Sequence, residues 1–294
     1  MRKKLTFADI ILYAVFILLA AMCVYPILLV IGISFSDESA ISTYGYQMIP
    51  KIPSLKAYEY IISSKDTILK SYGVTIFNTV VGTVISVLCI ALYAYPLSRK
   101  DVKYRKFFLF LSFFTMLFSG GLVASYMVCV NILHLKNTIW AMILPYVFSA
   151  WNVILMRSFF QMSIPPAIIE SAKIDGAGEF LILFKLVMPL SVPGIATIAL
   201  FSTLGYWNDW WLPLLYITNK ELYNLQFLLQ SMITKIQELS NNSAIMNSVA
   251  LLSDVPKEGS RMALCIIATG PILIVYPFFQ KYFIQGLTVG AVKE

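Results

Sequence analysis

Residues 170–193 read ESAKIDGAGEFLILFKLVMPLSVP, a charged, glycine-punctuated stretch inside a chain that is otherwise mostly lipid-soluble. It falls in a 33-residue connection, about 157–189, between two apolar runs. Pro165-Pro166 opens the segment as a helix start, because the first helical turn needs no N–H donors. The pattern then predicts a two-turn helix over Ala167–Asp175, ended by Gly176 and Gly178. Ile168, Ile169 and Ala172 supply an apolar face, Ser171, Ala172 and Ala177 allow close backbone approach, and Glu170 meets the positive end of the dipole. From Glu179 a second helix should run towards Pro189, turning Phe180, Leu183, Phe184 and Val187 onto the bundle at i, i+3, i+4 spacing. The outcome is a short transverse helix held below the membrane.

The membrane itself follows from composition. Hydrophobic residues make up 59% of the 294 and charged ones 13%, with a mean hydropathy of +0.78. A water-soluble domain would be about a quarter charged. Six apolar runs, at about 10–34, 73–97, 107–130, 138–156, 190–218 and 262–280, each reach the roughly 20 residues that cross a ~30 Å hydrocarbon core. An all-α integral membrane fold with six transmembrane helices is therefore expected over 10–294, after a short segment 1–9. Arg2, Lys3 and Lys4, with Arg99, Lys100, Lys103, Arg105 and Lys106, form the positive-inside signal. Both termini are then cytoplasmic, and 35–72, 131–137 and 219–261 lie outside. The net charge of +7 suits lipid headgroups and carries no nucleic-acid footprint. The run 10–34 is too long for a secretory h-region and lacks a cleavage pattern.

The outer segments differ in character. Residues 35–72 hold an amphipathic stretch, Leu55–Ile62, expected as an interfacial helix; 219–261 read as a long polar loop that contacts something. Cys23, Cys89, Cys129 and Cys265 lie in apolar runs as small hydrophobes. His134 has no second ligand at metal spacing, and no catalytic triad or acid pair is evident. Without a Gly-Lys dipeptide there is no phosphate loop, so the chain should not bind ATP itself.

The fifth run carries Tyr206-Trp207-Asn208-Asp209-Trp210-Trp211. Ionisable residues at such depth face a cavity or a partner. One reading makes Trp207, Asn208, Asp209 and Trp210 substrate-pathway residues: the polar pair would bond sugar hydroxyls, and an indole would lie on a pyranose face. The other makes them an interfacial aromatic belt with an aspartate capping a broken helix. Asn78, Trp151 and Asn152 read as interhelical contacts first and ligands second.

The spacing Glu170-x-Ala172-x-x-Asp175-Gly176-Ala177, followed by Phe184, Pro189 and Pro193, resembles the EAA motif of ATP-binding-cassette importer permeases. Ser171 replaces the usual first alanine, small for small. Asn78-Thr79, Ala94-Tyr95-Pro96-Leu97-Ser98-Arg99, Trp207-Asn208-Asp209 and the tail from Gln280 to Lys293 are similar to the carbohydrate branch, the maltose-type second permease. The resemblance covers most of the chain from about residue 70. It implies a type I importer permease in a bacterial plasma membrane, paired with a second homologous permease. It implies two ATPase subunits carrying ATP and Mg, a solute-binding protein, and a carbohydrate cargo. Glu170, Ser171, Ala172, Asp175, Gly176 and Ala177 would then form the ATPase contact, and Gly286, Leu287, Gly290 and Lys293 would lie along the ATPase dimer. Three other readings remain: a secondary transporter with coupling carboxylates in its spans, a peptide or amino-acid importer of the same machine, and a membrane-embedded receptor or scaffold with no transport role.

Overall fold

In the computed structural model, residues 6–63, 65–241 and 256–291 are described. They are helical apart from turns and one isolated bridge between Ser36 and Pro53. The chain divides into two compact units, one of residues 1–66 and 231–271, the other of 67–230 and 272–294.

The first unit begins with α1, Phe7–Ser34, whose buried residues are only Gly32, Ile33 and Ser34. Most of its large apolar side chains are exposed. The segment that follows folds against the end of this helix. A Cβ on Gly32 would stand 2.2 Å from the Met48 carbonyl oxygen, so only glycine lets the loop cross. Asp37 starts α2, Glu38–Tyr44, by accepting the Ser39 amide. Helix α3, Lys56–Ile62, forms in the stretch expected to hold a short helix; its Tyr58 stacks on Phe35 at 5.0 Å. The Glu38 carboxylate accepts the Glu258 amide at 3.2 Å and that of Gly259 at 3.4 Å. It thereby caps the last helix, α15, Lys257–Ala291, which covers the expected sixth run.

The second unit is built on α4, of which Lys65–Ser98 is the full extent. Among the described residues, α1 and α4 are each long and apolar enough to cross a membrane unbroken. The next three expected spans are interrupted. Helix α5, Arg105–Leu117, turns by 115° into α6, Gly121–Met127, which continues as a π turn to Ile132. Gly121, at φ 80°, makes that turn possible. Helices α7, Trp140–Val147, and α8, Ala150–Ser163, meet at 51° where the Ser149 hydroxyl takes the Asn152 amide. Helix α9, Pro166–Ile174, follows. Then come α10, Glu179–Ile182, a π turn at Leu183–Val187, and α11, Met188–Leu190. An 86° bend at Ser191 leads into α12, Val192–Trp207, and after a break into α13, Trp211–Tyr216.

The region read as a polar outer loop instead holds a 17-residue helix, α14, Leu225–Asn241. Its first turns bury Leu225, Leu228 and Leu229, and the Asn224 side chain accepts the Phe227 amide at its start. This i, i+3, i+4 spacing was present in the sequence but masked by the surrounding polar residues. Residues 242–255 lie outside the described residues.

Two clusters hold the second unit together. One packs Val87, Ile90, Ala91, Ala94 and Leu97 of α4 on Val153, Met156 and Phe160 of α8, with Ala172, Ile182, Leu183, Val187 and Ile198. The other joins Cys129, Ala141 and Met142 to Leu212, Tyr216 and Ile217. Asn137, at φ 58°, ties two loops beside it: its Oδ1 accepts from the Thr218 amide at 2.6 Å and the Asn219 amide at 3.1 Å.

Candidate coupling segment and polar break

Helix α9 ends in a Schellman motif. The Ala177 amide bonds the Ala172 carbonyl at 2.9 Å and the Gly176 amide bonds that of Lys173 at 3.0 Å. Gly176 sits at φ 80°, the left-handed region this end requires. Ala172 and Ala177, the apolar pair that accompanies the motif, face the core cluster together with Ile169. Glu170, Ser171, Asp175 and Gly176 are exposed. So is Ile174, at 86%, an unusual place for a bare isoleucine.

The face of the next helical stretch is rotated from the expected one. Ile182, Leu183 and Val187 are buried, whereas Phe180 is 72% and Phe184 44% exposed. Glu179 explains it. Its half-exposed carboxylate turns towards Tyr95 and Arg99, which puts 179, 182, 183 and 186 on one face and leaves Phe180 pointing away.

What Glu179 meets was not singled out by the sequence reading. Tyr95 Oη donates to Glu179 Oε2 at 2.7 Å, and Arg99 pairs with both Glu179 and Asp101. Lys173 Nζ lies 3.0 Å from Glu179 Oε1 and 3.3 Å from Asp101 Oδ2. From α8, Arg157 Nε donates to the Leu97 carbonyl at 3.0 Å and Gln161 to that of Ser98 at 2.9 Å. These cap the carbonyls at the end of α4, and a cation there suits the helix dipole. The Arg99 hydrogen bonds hold Asp101 down at about 2, and Asp101 in turn raises Arg99. Burial pushes Glu179 up, but hydrogen bonds from Tyr95 and Lys173 and the Arg99 charge leave it below the ordinary range. Each group is shifted towards its charged form, as an ion-pair cluster demands. In the sequence Arg99 reads as positive-inside charge and as the end of the stretch Ala94–Arg99 that resembles the carbohydrate branch, with no ion-pair partner assigned to it.

At the break after α12, Asp209 is 6% exposed. Its Oδ1 accepts the amides of Trp211 at 3.0 Å and Leu212 at 3.2 Å, and the Tyr146 hydroxyl at 3.3 Å. Its carbonyl accepts from the Asn224 side chain. This is a carboxylate satisfying the first amides of α13. Trp207 is buried; Asn208 is exposed and donates to the Leu204 carbonyl. Trp210 and Trp211 meet edge to face at 5.7 Å. With Tyr146, Gly205, Asn208 and Asp209 they line a recess of about 250 Å³.

Asn78 is buried in α4, its Nδ2 3.5 Å from Met142 Sδ, and Trp151 is 60% exposed beside the α7–α8 bend. Among the described residues no group of His, Cys, Asp and Glu could hold a metal. Gly286, Leu287 and Gly290 fall on the last turns of α15, and Lys293 lies outside the described residues.

Residues 75–289 match the family described as "Binding-protein-dependent transport system inner membrane component". The chain belongs to that family. This permease is 40% identical to the polygalacturonan/rhamnogalacturonan transport system permease protein YtcP of Bacillus subtilis, over 97% of its own length and 98% of the relative's. It is 29% identical to the trehalose/maltose transport system permease protein MalG of Thermococcus litoralis, over 94% of each. A solved structure of a bacterial ABC transporter involved in the import of the acidic polysaccharide alginate superposes with a TM-score of 0.80. That likeness covers 95% of this chain and 98% of the other, at 30% identity. The chain is thus an ABC importer permease of the carbohydrate branch, and the matched span contains both the α9 cluster and the polar break.

Proposed function

We propose that this permease is the transmembrane subunit of an ATP-driven, solute-binding-protein-dependent importer of oligosaccharides in a bacterial plasma membrane. It spans the bilayer six times with both termini cytoplasmic and pairs with a second, homologous permease. Two separate ATPase subunits, which hold ATP and Mg, dock below, and the binding protein delivers sugar above. The chain contributes no catalysis and no cofactor of its own.

The observation that carries this reading is helix α9. It is rooted by Ala172 and Ala177 and stopped by Gly176. Glu170, Ser171, Asp175 and Ile174 stand clear of the chain's own core. An apolar tip rimmed by polar groups suits a socket in another protein. Glu170, Ser171, Asp175 and Gly176 touch the ATPase directly, while Ala172 and Ala177 hold the knob from beneath. Gly286, Leu287, Gly290 and Lys293 run along the ATPase pair. Closure of that pair pulls α9 and exchanges inward and outward states, a population shift driven by differential binding. Trp210 and Asn208, at the recess beside the α12 break, face the sugar pathway. Acidic oligosaccharides are the favoured cargo, because YtcP is named for polygalacturonan and rhamnogalacturonan and the solved relative for alginate.

Glu170→Lys and Gly176→Trp test the docking. Both should insert normally and lose uptake. Normal uptake in both variants would overturn the assignment.

A further inference from the structure

Arg99 follows the last residue of α4, where a basic side chain would ordinarily extend into water. Only 7% of its side chain is exposed. It binds Asp101 just beyond, Tyr95 one turn back and Glu179 at the start of α10. Lys173 of α9 closes the ring on the two carboxylates. The end of α4 is therefore gripped by the elements on both sides of Gly176.

We propose that Arg99 is a positioning residue that carries movement of segment 166–179 sideways into α4. This second route runs parallel to the covalent one through α10–α12. The inference rests on the docking role proposed for α9 and goes beyond it. The covalent route has soft points: a π turn at Leu183–Val187 and an 86° bend at Ser191. Such π turns and sharp bends interrupt the regular run of helical hydrogen bonds. The lateral route has none. A guanidinium is a rigid planar fork that holds carboxylates directionally, and a buried charge stripped of its partner is strongly disfavoured. When α9 is pulled, Glu179 and Arg99 move as one body, and α4 goes with them.

The test uses the assembled transporter in proteoliposomes, reading sugar imported per ATP hydrolysed. In Arg99→Met the ATPase should still co-purify and hydrolyse ATP, while sugar per ATP falls about tenfold, the factor expected for a lost charge-assisted hydrogen bond. Glu179→Gln should fall less, Arg99→Lys should recover part of the loss, and the double Arg99→Met, Glu179→Gln should be no worse than Arg99→Met alone. Lower yield or melting temperature with an unchanged ratio would make Arg99 a brace only and overturn the proposal. Should Arg99→Met fail to fold, Glu179→Gln decides, since that side chain is half exposed. Failure of any ATPase to co-purify with the wild-type chain would sink the docking role, and this link with it.

Discussion

The ring of Tyr206 lies against Gly82 so closely that a Cβ at Gly82 would stand 2.5 Å from Tyr206 Cζ. The contact lets the tyrosine reach across three helices. Its hydroxyl is 3.1 Å from Ser86 Oγ of α4 and donates to the Ile143 carbonyl of α7 at 3.0 Å, while the residue itself belongs to α12. Beside it, Thr83 and Thr203 hydroxyls pair at 3.2 Å. A glycine in mid-helix costs about 1 kcal/mol relative to alanine in propensity. Here the close approach of the ring offsets it.

Gly82→Ala should therefore destabilise the second unit despite its better helix propensity. Overpacking typically costs about 1–3 kcal/mol, more than the propensity gain. A lower melting temperature in detergent is expected, and adding Tyr206→Phe should not relieve the clash, since the ring stays. An alanine variant melting at or above the wild type would show that Tyr206 can move aside.

Much of this architecture could be read from the residues alone, and the failures have physical causes. The runs 10–34 and 73–97 became unbroken helices because neither is interrupted by a turn-forming pair. The run 107–130 broke at Ser119-Gly120-Gly121, where composition stays apolar while the backbone needs a positive φ. Hydropathy counts side chains and is blind to that. The α9 helix, its proline start and its glycine stop were legible because each depends on neighbours in sequence. The cluster at Arg99 was not, because Glu179 lies 80 residues beyond Arg99 and Lys173 lies 72 beyond Asp101, and only the fold brings them together. For Asp209 the sequence left two readings open, and the amides of Trp211 and Leu212 account for its carboxylate oxygen.

The Asp101 carboxylate offers a pH test outside the spans. Its native value is depressed from 3.8 to about 2 by Arg99. A depressed carboxylate contributes stability that is fully present above its unfolded value and is lost as pH falls through the folded one. The Arg99–Asp101 contact should thus be constant from neutral pH down to about 4 and weaken only towards about 2. A carboxyl-carbon NMR titration should find the midpoint near the lower value. The melting difference between wild type and Asp101→Asn should close over the same interval. A midpoint at the ordinary value would mean that the contact is not held in solution.

Asp209 separates a structural carboxylate from a sugar ligand. In Asp209→Asn the side-chain oxygen can still accept the amides of Trp211 and Leu212, and the Tyr146 hydroxyl as well. Hydrogen bonds to a charged acceptor are stronger, but a buried charge also carries a desolvation penalty, so these effects oppose one another. Near wild-type stability and an unchanged order of sugar preference are expected. Asp209→Ala removes the acceptor altogether and leaves two amides at the start of α13 unmet. Loss of such a cap costs about 1 kcal/mol, within about 0.5–2, so this variant should melt lower while ranking sugars as before. Uptake competition among neutral and acidic oligosaccharides, run beside the melts, distinguishes the two roles. If Asp209→Asn melts like the wild type yet reorders the sugars, the carboxylate touches cargo and the cap is incidental.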